Sequence, residues 1–207
     1  MAILGSGSFT YEVSGEEWGN LPDGWVYGDA TSVAVDSQDN VYVFNRGGHP
    51  IIVYDSEGRF LRSWGEDIFS TPHGIAIGPD DSVYCADVGD HTVRKLTPEG
   101  KVLLTLGDPG NPAEAMSGKP FNRPTDVAVD GDGDIDFIVA NDTTRNFYYR
   151  NLGGGVFEEA GVEVGLAYDP GGMATGAMGI DVGHYRNDQA IGVGIGNFAN
   201  EMTSFYV

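Results

Sequence analysis

The sequence predicts an all-β fold, a β-propeller of four-stranded blades, and three observations carry that expectation. The first is an internal repeat. Residues 31–65 and 73–107 align at a constant offset, with Val33 over Ile75, Tyr42 over Tyr84, Gly58 over Gly100 and Gly65 over Gly107, each 42 residues apart. The second is the content of a unit: four short runs rich in β-branched and aromatic residues, separated by Gly, Pro and Asp turns. At this period that is the signature of a propeller blade. The third is that apolar residues keep helical spacing nowhere for more than a turn or so.

Taken in order, unit one holds runs at 32–36, 41–44, 51–54 and 60–64, with the turn Asp55-Ser-Glu-Gly58 before the last. Unit two repeats the plan at 74–77, 83–86, 92–96 and 102–106, with Thr97-Pro-Glu-Gly100 as its turn. Unit three opens at Thr125–Asp130 after an insertion in 108–121, whose Pro109, Pro112 and Pro120 mark an exposed inter-blade loop. It continues at 136–140, 146–150 and Val156-Phe157, past a Gly153–Gly155 turn. Unit four is thinner, with strands expected at 178–182, 191–195 and 202–207. The N-terminus supplies a spare run, Ser8–Val13, after a Gly5-Ser-Gly-Ser8 stretch that reads as a linker. A terminal strand that completes the last blade protects exposed edges. The expectation for 1–207 is therefore one domain of four blades closed by the N-terminal strand. The alternative is an open fragment of a larger six- or seven-bladed propeller.

Composition narrows the class. With 11 Lys+Arg against 31 Asp+Glu, the net charge of −20 argues against nucleic acid or an anionic membrane as partner. It favours cation binding. Glycine, 32 of 207 residues, is about twice its usual share, which in a chain of ordinary apolar content signals turns. No apolar run approaches a membrane span, and the start, Met1 to Ser8, is too short and uncharged for a secretory signal. Cys85 is alone and reads as a small buried hydrophobe. The Gly153–Gly155 run precedes no helix, so a phosphate cradle is unsupported.

Several stretches resemble named families. Ser32-Val-Ala-Val-Asp36, Val43-Phe-Asn-Arg-Gly-Gly-His-Pro50, Thr71-Pro-His-Gly-Ile75 and Asn122-Arg-Pro-Thr-Asp-Val-Ala-Val129 resemble NHL-repeat proteins of the peptidyl-α-hydroxyglycine α-amidating lyase type, over 1–129. Residues 130–207 are similar instead to FG-GAP/VCBS repeats of the ASPIC/UnbV kind, through Asp130-Gly-Asp-Gly-Asp-Ile-Asp136, Asn151-Leu-Gly-Gly-Gly-Val-Phe-Glu158 and Gly196-Asn-Phe-Ala-Asn-Glu201. Both families are propellers, mostly secreted or periplasmic.

The lyase resemblance implies His73 as a zinc ligand, Arg46 as the substrate-facing catalytic arginine, and backbone carbonyls of Val33 and Ile75 as ligands of a calcium in the channel. Zinc suits imidazole nitrogen, and calcium takes oxygens that include carbonyls. The chain departs from that pattern. The later histidine blocks are missing, Asp142-Thr-Thr144 stands where the family has its tyrosine, and His49, His91 and His184 lie outside Pro-His-Gly contexts. His73 therefore also reads as a hydrogen-bonded histidine near the channel mouth, and Arg46 as an inter-blade ion-pair partner.

The acidic loop fits the latter part of a D-x-D-x-D-G-x-x-D calcium pattern. Asp130, Asp132 and Asp136 supply carboxylates and Asp134 a backbone carbonyl, while Ala128 stands where the first acid belongs. Calcium takes about six to eight oxygens, so weak binding or a bare solvated turn are both open. The loop His184–Gly192 keeps only Asp188 and places Arg186 among its positions, which makes it structural. Three functions remain: a non-catalytic calcium-binding module with a protein, peptide or glycan partner on its loop face; a lyase-like zinc enzyme with an incomplete site; and a hybrid or fragment without selected function.

Overall fold

The computed structural model describes residues 3–12, 15, 18–114, 121–129, 136–142, 144–153, 156–186 and 191–207. Among the described residues every regular element is a strand. The chain opens with a two-stranded ribbon, β1 (Ile3–Ser6) and β2 (Phe9–Glu12). Four antiparallel meanders follow. Blade 1 is β3 (Ala30–Val35), β4 (Val41–Asn45), β5 (Ile51–Tyr54) and β6 (Phe60–Trp64). Blade 2 is β7 (Pro72–Ile77), β8 (Val83–Asp87), β9 (Thr92–Leu96) and β10 (Val102–Leu106). Blade 3 is β11 (Pro124–Val129), β12 (Phe137–Asn141), β13 (Phe147–Asn151) and β14 (Phe157–Glu159). Blade 4 has three strands, β15 (Ala177–His184), β16 (Ile191–Asn197) and β17 (Ser204–Tyr206).

Strand periodicity places the core between blades. Successive side chains point to opposite faces, so each sheet sends one set backward and one forward. Tyr42, Phe44, Ile51 and Val53 leave the forward face of blade 1 and meet Ile75, Val83, Cys85 and Leu96 of blade 2. Tyr84, Ala86 and Val93 leave blade 2 forward and meet Val127, Phe137, Val139 and Phe147. Ala128, Ile138 and Ala140 then meet Ala177, Ile180 and Ile195. Cys85 is fully buried in the first of these layers, as its run predicts. Position decides burial here. Ile75 and Val127 are 5% and 2% exposed beneath the preceding blade, whereas the equivalent Val33 of blade 1 is 61% exposed. Further out, the backward face of blade 1 is covered by Leu21 and by Trp18 and Trp25, whose rings lie against Tyr54 and Phe60.

The expected closure of blade 4 by the N-terminal strand is not what the chain adopts. Phe9–Glu12 pairs with Ile3–Ser6 and with no strand of blade 4. The physical reason is local. Gly7, at φ 62°, turns the chain back so that Ser6 faces Phe9, and a hairpin closes with far less entropy loss than a long-range pairing. Part of the presumed linker is thus strand and the rest is turn.

The repeated glycines serve backbone geometry. Gly58 and Gly100 both have positive φ, 79° and 88°, and a Cβ on Gly100 would come within 2.7 Å of the Trp64 ring. Gly110 also has positive φ, 74°, but faces open space. Urea denaturation should therefore rank Gly100→Ala, at about 2–3 kcal/mol lost, above Gly110→Ala, at about 1 kcal/mol. Deleting residues 1–12 should leave the melting temperature unchanged within error, because the ribbon completes no blade.

Candidate binding site at the channel mouth

Each inner strand carries one irregularity at the same place. The pairing skips Thr31 in β3, His73 in β7, Thr125 in β11 and Met178 in β15, leaving each as a bulge residue without a cross-strand partner. Bulges re-aim side chains at sheet ends. Opposite each bulge the second strand ends in an Asx residue: Asn45, Asp87, Asn141 or Asn197. These side chains bind loop backbone. Asn45 Oδ1 accepts from Gly28 N at 2.9 Å, Asp87 Oδ1 from Thr71 N at 2.8 Å and Gly89 N at 2.9 Å, and Asn197 Nδ2 donates to Met202 O at 2.6 Å. The next residue in each blade is then Arg46, Val88, Asp142 or Phe198.

Seven of these eight positions border a single cavity of about 350 Å³, together with Arg123, and only Thr31 is left out. Arg46 and His73, singled out separately in the sequence, are brought together here. Arg46 reaches from blade 1 to blade 2, donating Nε–H to the Pro72 carbonyl at 2.9 Å. The His73 imidazole bonds to the Thr125 backbone, and burial, followed by the positive charge of Arg46, pulls its pKa below the ordinary value. Arg123 pairs with Asp142 at 3.0 Å across the rim. It holds φ at 57°, rare for a side chain of its size, and its N–H donates to His91 Nδ1 at 3.1 Å. Sequence inspection missed Arg123 and Asp142 as partners. The signal was their position, one before Pro124 and one after the Asx that ends β12.

The surroundings of His73 do not fit zinc. Its charged neighbours are two guanidinium groups and one carboxylate already paired with Arg123, and a zinc site needs several nitrogen, sulfur or oxygen donors around the ion. Among the described residues no group of three His, Cys, Asp or Glu side chains is gathered anywhere.

Val33 and Ile75 occupy matching inner-strand positions and line a separate channel of about 440 Å³, which Asp126 and Asp181 also border. Asp126 is the unusual group. Its carboxylate accepts from Val127 N at 3.0 Å and from Ile180 N of the next blade at 3.1 Å. A Cβ on Gly74 would meet Asp126 Oδ1 at 2.1 Å, so glycine there makes room for the acid. Burial raises its pKa to about 6 in spite of those bonds, and nearby Asp181 adds to the rise. An oxygen-lined channel with a poorly solvated carboxylate fits a hard cation such as calcium. Of the acidic loop, Asp130, Asp132 and Asp134 lie outside the described residues. Asp136 accepts from Asn151 N at 2.7 Å and from the Tyr148 hydroxyl.

The Asp126 shift sets a pH dependence. Its folded pKa, about 6, lies above the ordinary 3.8, so this group favours folding most below pH 4 and loses that contribution as pH rises through 6. In metal-free buffer, the stability of Asp126→Asn relative to the parent should rise by about 2 kcal/mol between pH 4 and pH 7. Urea denaturation at both pH values measures it, and a flat difference would contradict the assignment.

Comparison with known proteins agrees with this geometry. Residues 69–96, which span β7 to β9, match the NHL repeat family. The chain is 35% identical over 139 residues to human NHL repeat-containing protein 3, covering 62% of this chain and 39% of that protein. The mouse protein of the same name is 34% identical over 124 residues, covering 55% and 35%. The chain thus spans well under half the length of these relatives. Among solved structures, hydrazine synthase of Kuenenia stuttgartiensis superposes with a TM-score of 0.58 at 12% identity, over 90% of this chain and 49% of that one. A catalytically inactive virginiamycin B lyase from Staphylococcus aureus, solved with quinupristin, gives 0.52 at 15% identity over 96% and 58%. The fold is a β-propeller, and blade 2 carries an NHL repeat.

Proposed function

We propose that this domain is a non-catalytic, calcium-binding interaction module that offers its channel mouth to a protein or peptide partner. One observation carries the reading. A uniform blade plan delivers chemically different side chains, from cation and imidazole to carboxylate and aromatic ring, to the border of one cavity. Rigid scaffold with varied loop-end chemistry is how repeat folds build recognition surfaces. The lyase-like alternative has, among the described residues at this mouth, one imidazole where three are needed.

Calcium enters this reading at two places. In the channel, Asp126 would hold the ion with the carbonyls of Val33 and Ile75, and Asp181 borders the same space. At the acidic loop, Asp130, Asp132 and Asp136 would supply carboxylates and Asp134 its carbonyl. A bound ion would offset the charge of these acids. The partner meets the opposite charge pattern, at Arg46, His73 and Arg123.

Thermal scans with calcium, magnesium or chelator test the metal. Calcium should raise the melting temperature. Asp126→Asn should remove the channel share of that rise and Asp132→Ala the loop share, while no rise with calcium would contradict metal binding. For recognition, peptides selected by display on the immobilised domain should protect backbone amides around positions 46, 73, 123 and 142 from hydrogen exchange. Protection confined to the outer strands would reject the mouth as the recognition face.

A further inference from the structure

We infer that the channel mouth is a carboxylate-binding site, in which Arg46 and Arg123, beside His73, take an acid carried next to an apolar group. The inference rests on the mouth being the recognition face and adds the chemistry of what is recognised.

Arg46 provides the first argument. Its Nε–H is committed to the Pro72 carbonyl, which orients the guanidinium plane. Its two terminal nitrogens have no partner among the described residues, and none of the described carboxylates reaches ion-pair distance, in a chain with 31 acids. A planar fork fixed at one nitrogen and open at the other two is shaped for bidentate pairing with a carboxylate.

Arg123 provides the second. Its pair with Asp142 is solvent-facing on the arginine side, which is 52% exposed, and such pairs contribute little stability. An incoming carboxylate can therefore share Arg123 or displace Asp142 from it at small cost. His73 lies on the same border, its imidazole held by the Thr125 backbone, and leaves the two guanidinium groups facing the cavity.

The remaining lining selects for an apolar neighbour. Val88, Met178 and the exposed Phe198 ring complete the cavity. Its volume, about 350 Å³, suits a single side chain or chain end. The protein as a whole, at −20, repels acids at long range. Attraction is confined to this patch.

NMR titration at fixed pH tests the site, following the arginine Nε–H signals. Four probes separate the chemistries: butyrate, N-acetylphenylalanine, N-acetylphenylalaninamide, and an amidated pentapeptide with one internal Glu. The acids should bind and shift the Arg46 Nε–H signal, N-acetylphenylalanine more tightly than butyrate, and the neutral amide should do neither. Preference between N-acetylphenylalanine and the Glu peptide identifies a chain end or a side chain as the source. Arg46→Gln should weaken acid binding about tenfold with Arg46→Lys intermediate, and Asp142→Asn should strengthen it. Equal binding of acid and amide, an unmoved Arg46 Nε–H signal, or an indifferent but folded Arg46→Gln would overturn the assignment. Failure with every acid, while a displayed partner still protects the mouth, would sink the carboxylate site alone. Loss of both would sink the recognition face as well.

Discussion

Everything in this molecule depends on sheets packing face to face around an axis. A blade alone has two apolar faces and cannot bury either. Tyr42 and Phe44 of blade 1 are fully buried only because blade 2 brings Ile75, Val83 and Cys85 against them. The same relation repeats twice, with aromatics giving way to Ala128, Ile138 and Ala140 in the last layer. That packing fixes where the inner strands run. It therefore fixes where the bulge residues and post-strand residues emerge, and so the mouth itself.

Two polar regions follow from this frame, with opposite character. In the channel, Asp126 is half-buried between Gly74 and β15, and its pKa rises because its carboxylate is largely desolvated. At the mouth, burial lowers the His73 pKa instead, and the charges of Arg46 and Arg123 act in the same direction. In the repeat the two groups are one position apart: His73 is the bulge of β7, and Asp126 follows the bulge of β11. The proposed cation site and the proposed anion site thus fall within a single tier of strands.

Much of the fold was legible in the sequence. The 42-residue offset located the blades, because Gly58 and Gly100 need positive φ and Tyr42 and Tyr84 need the same buried face. The third and fourth blades followed the same plan although their sequences look different. What they share is a bulge and an Asx at the strand end, a backbone pattern that Thr125 with Asn141 and Met178 with Asn197 satisfy without resembling His73 with Asp87. The N-terminal closure misled because a short aromatic run says nothing about its partner, and Gly7 gave it a nearer one. The mouth was half legible. Arg46 and His73 stood out by motif, but Arg123 and Asp142 became visible only once blade 3 was placed beside them.

The most direct test of the account is the titration of His73 in the free, metal-free protein, read by NMR. Arg46 and His73 come from different blades, so their electrostatic coupling exists only if the blades are arranged as described. The account predicts a His73 pKa below the ordinary imidazole value of about 6.5, rising when Arg46 is replaced by Gln. A His73 that titrates at or above that value, and ignores the Arg46→Gln replacement, would contradict it.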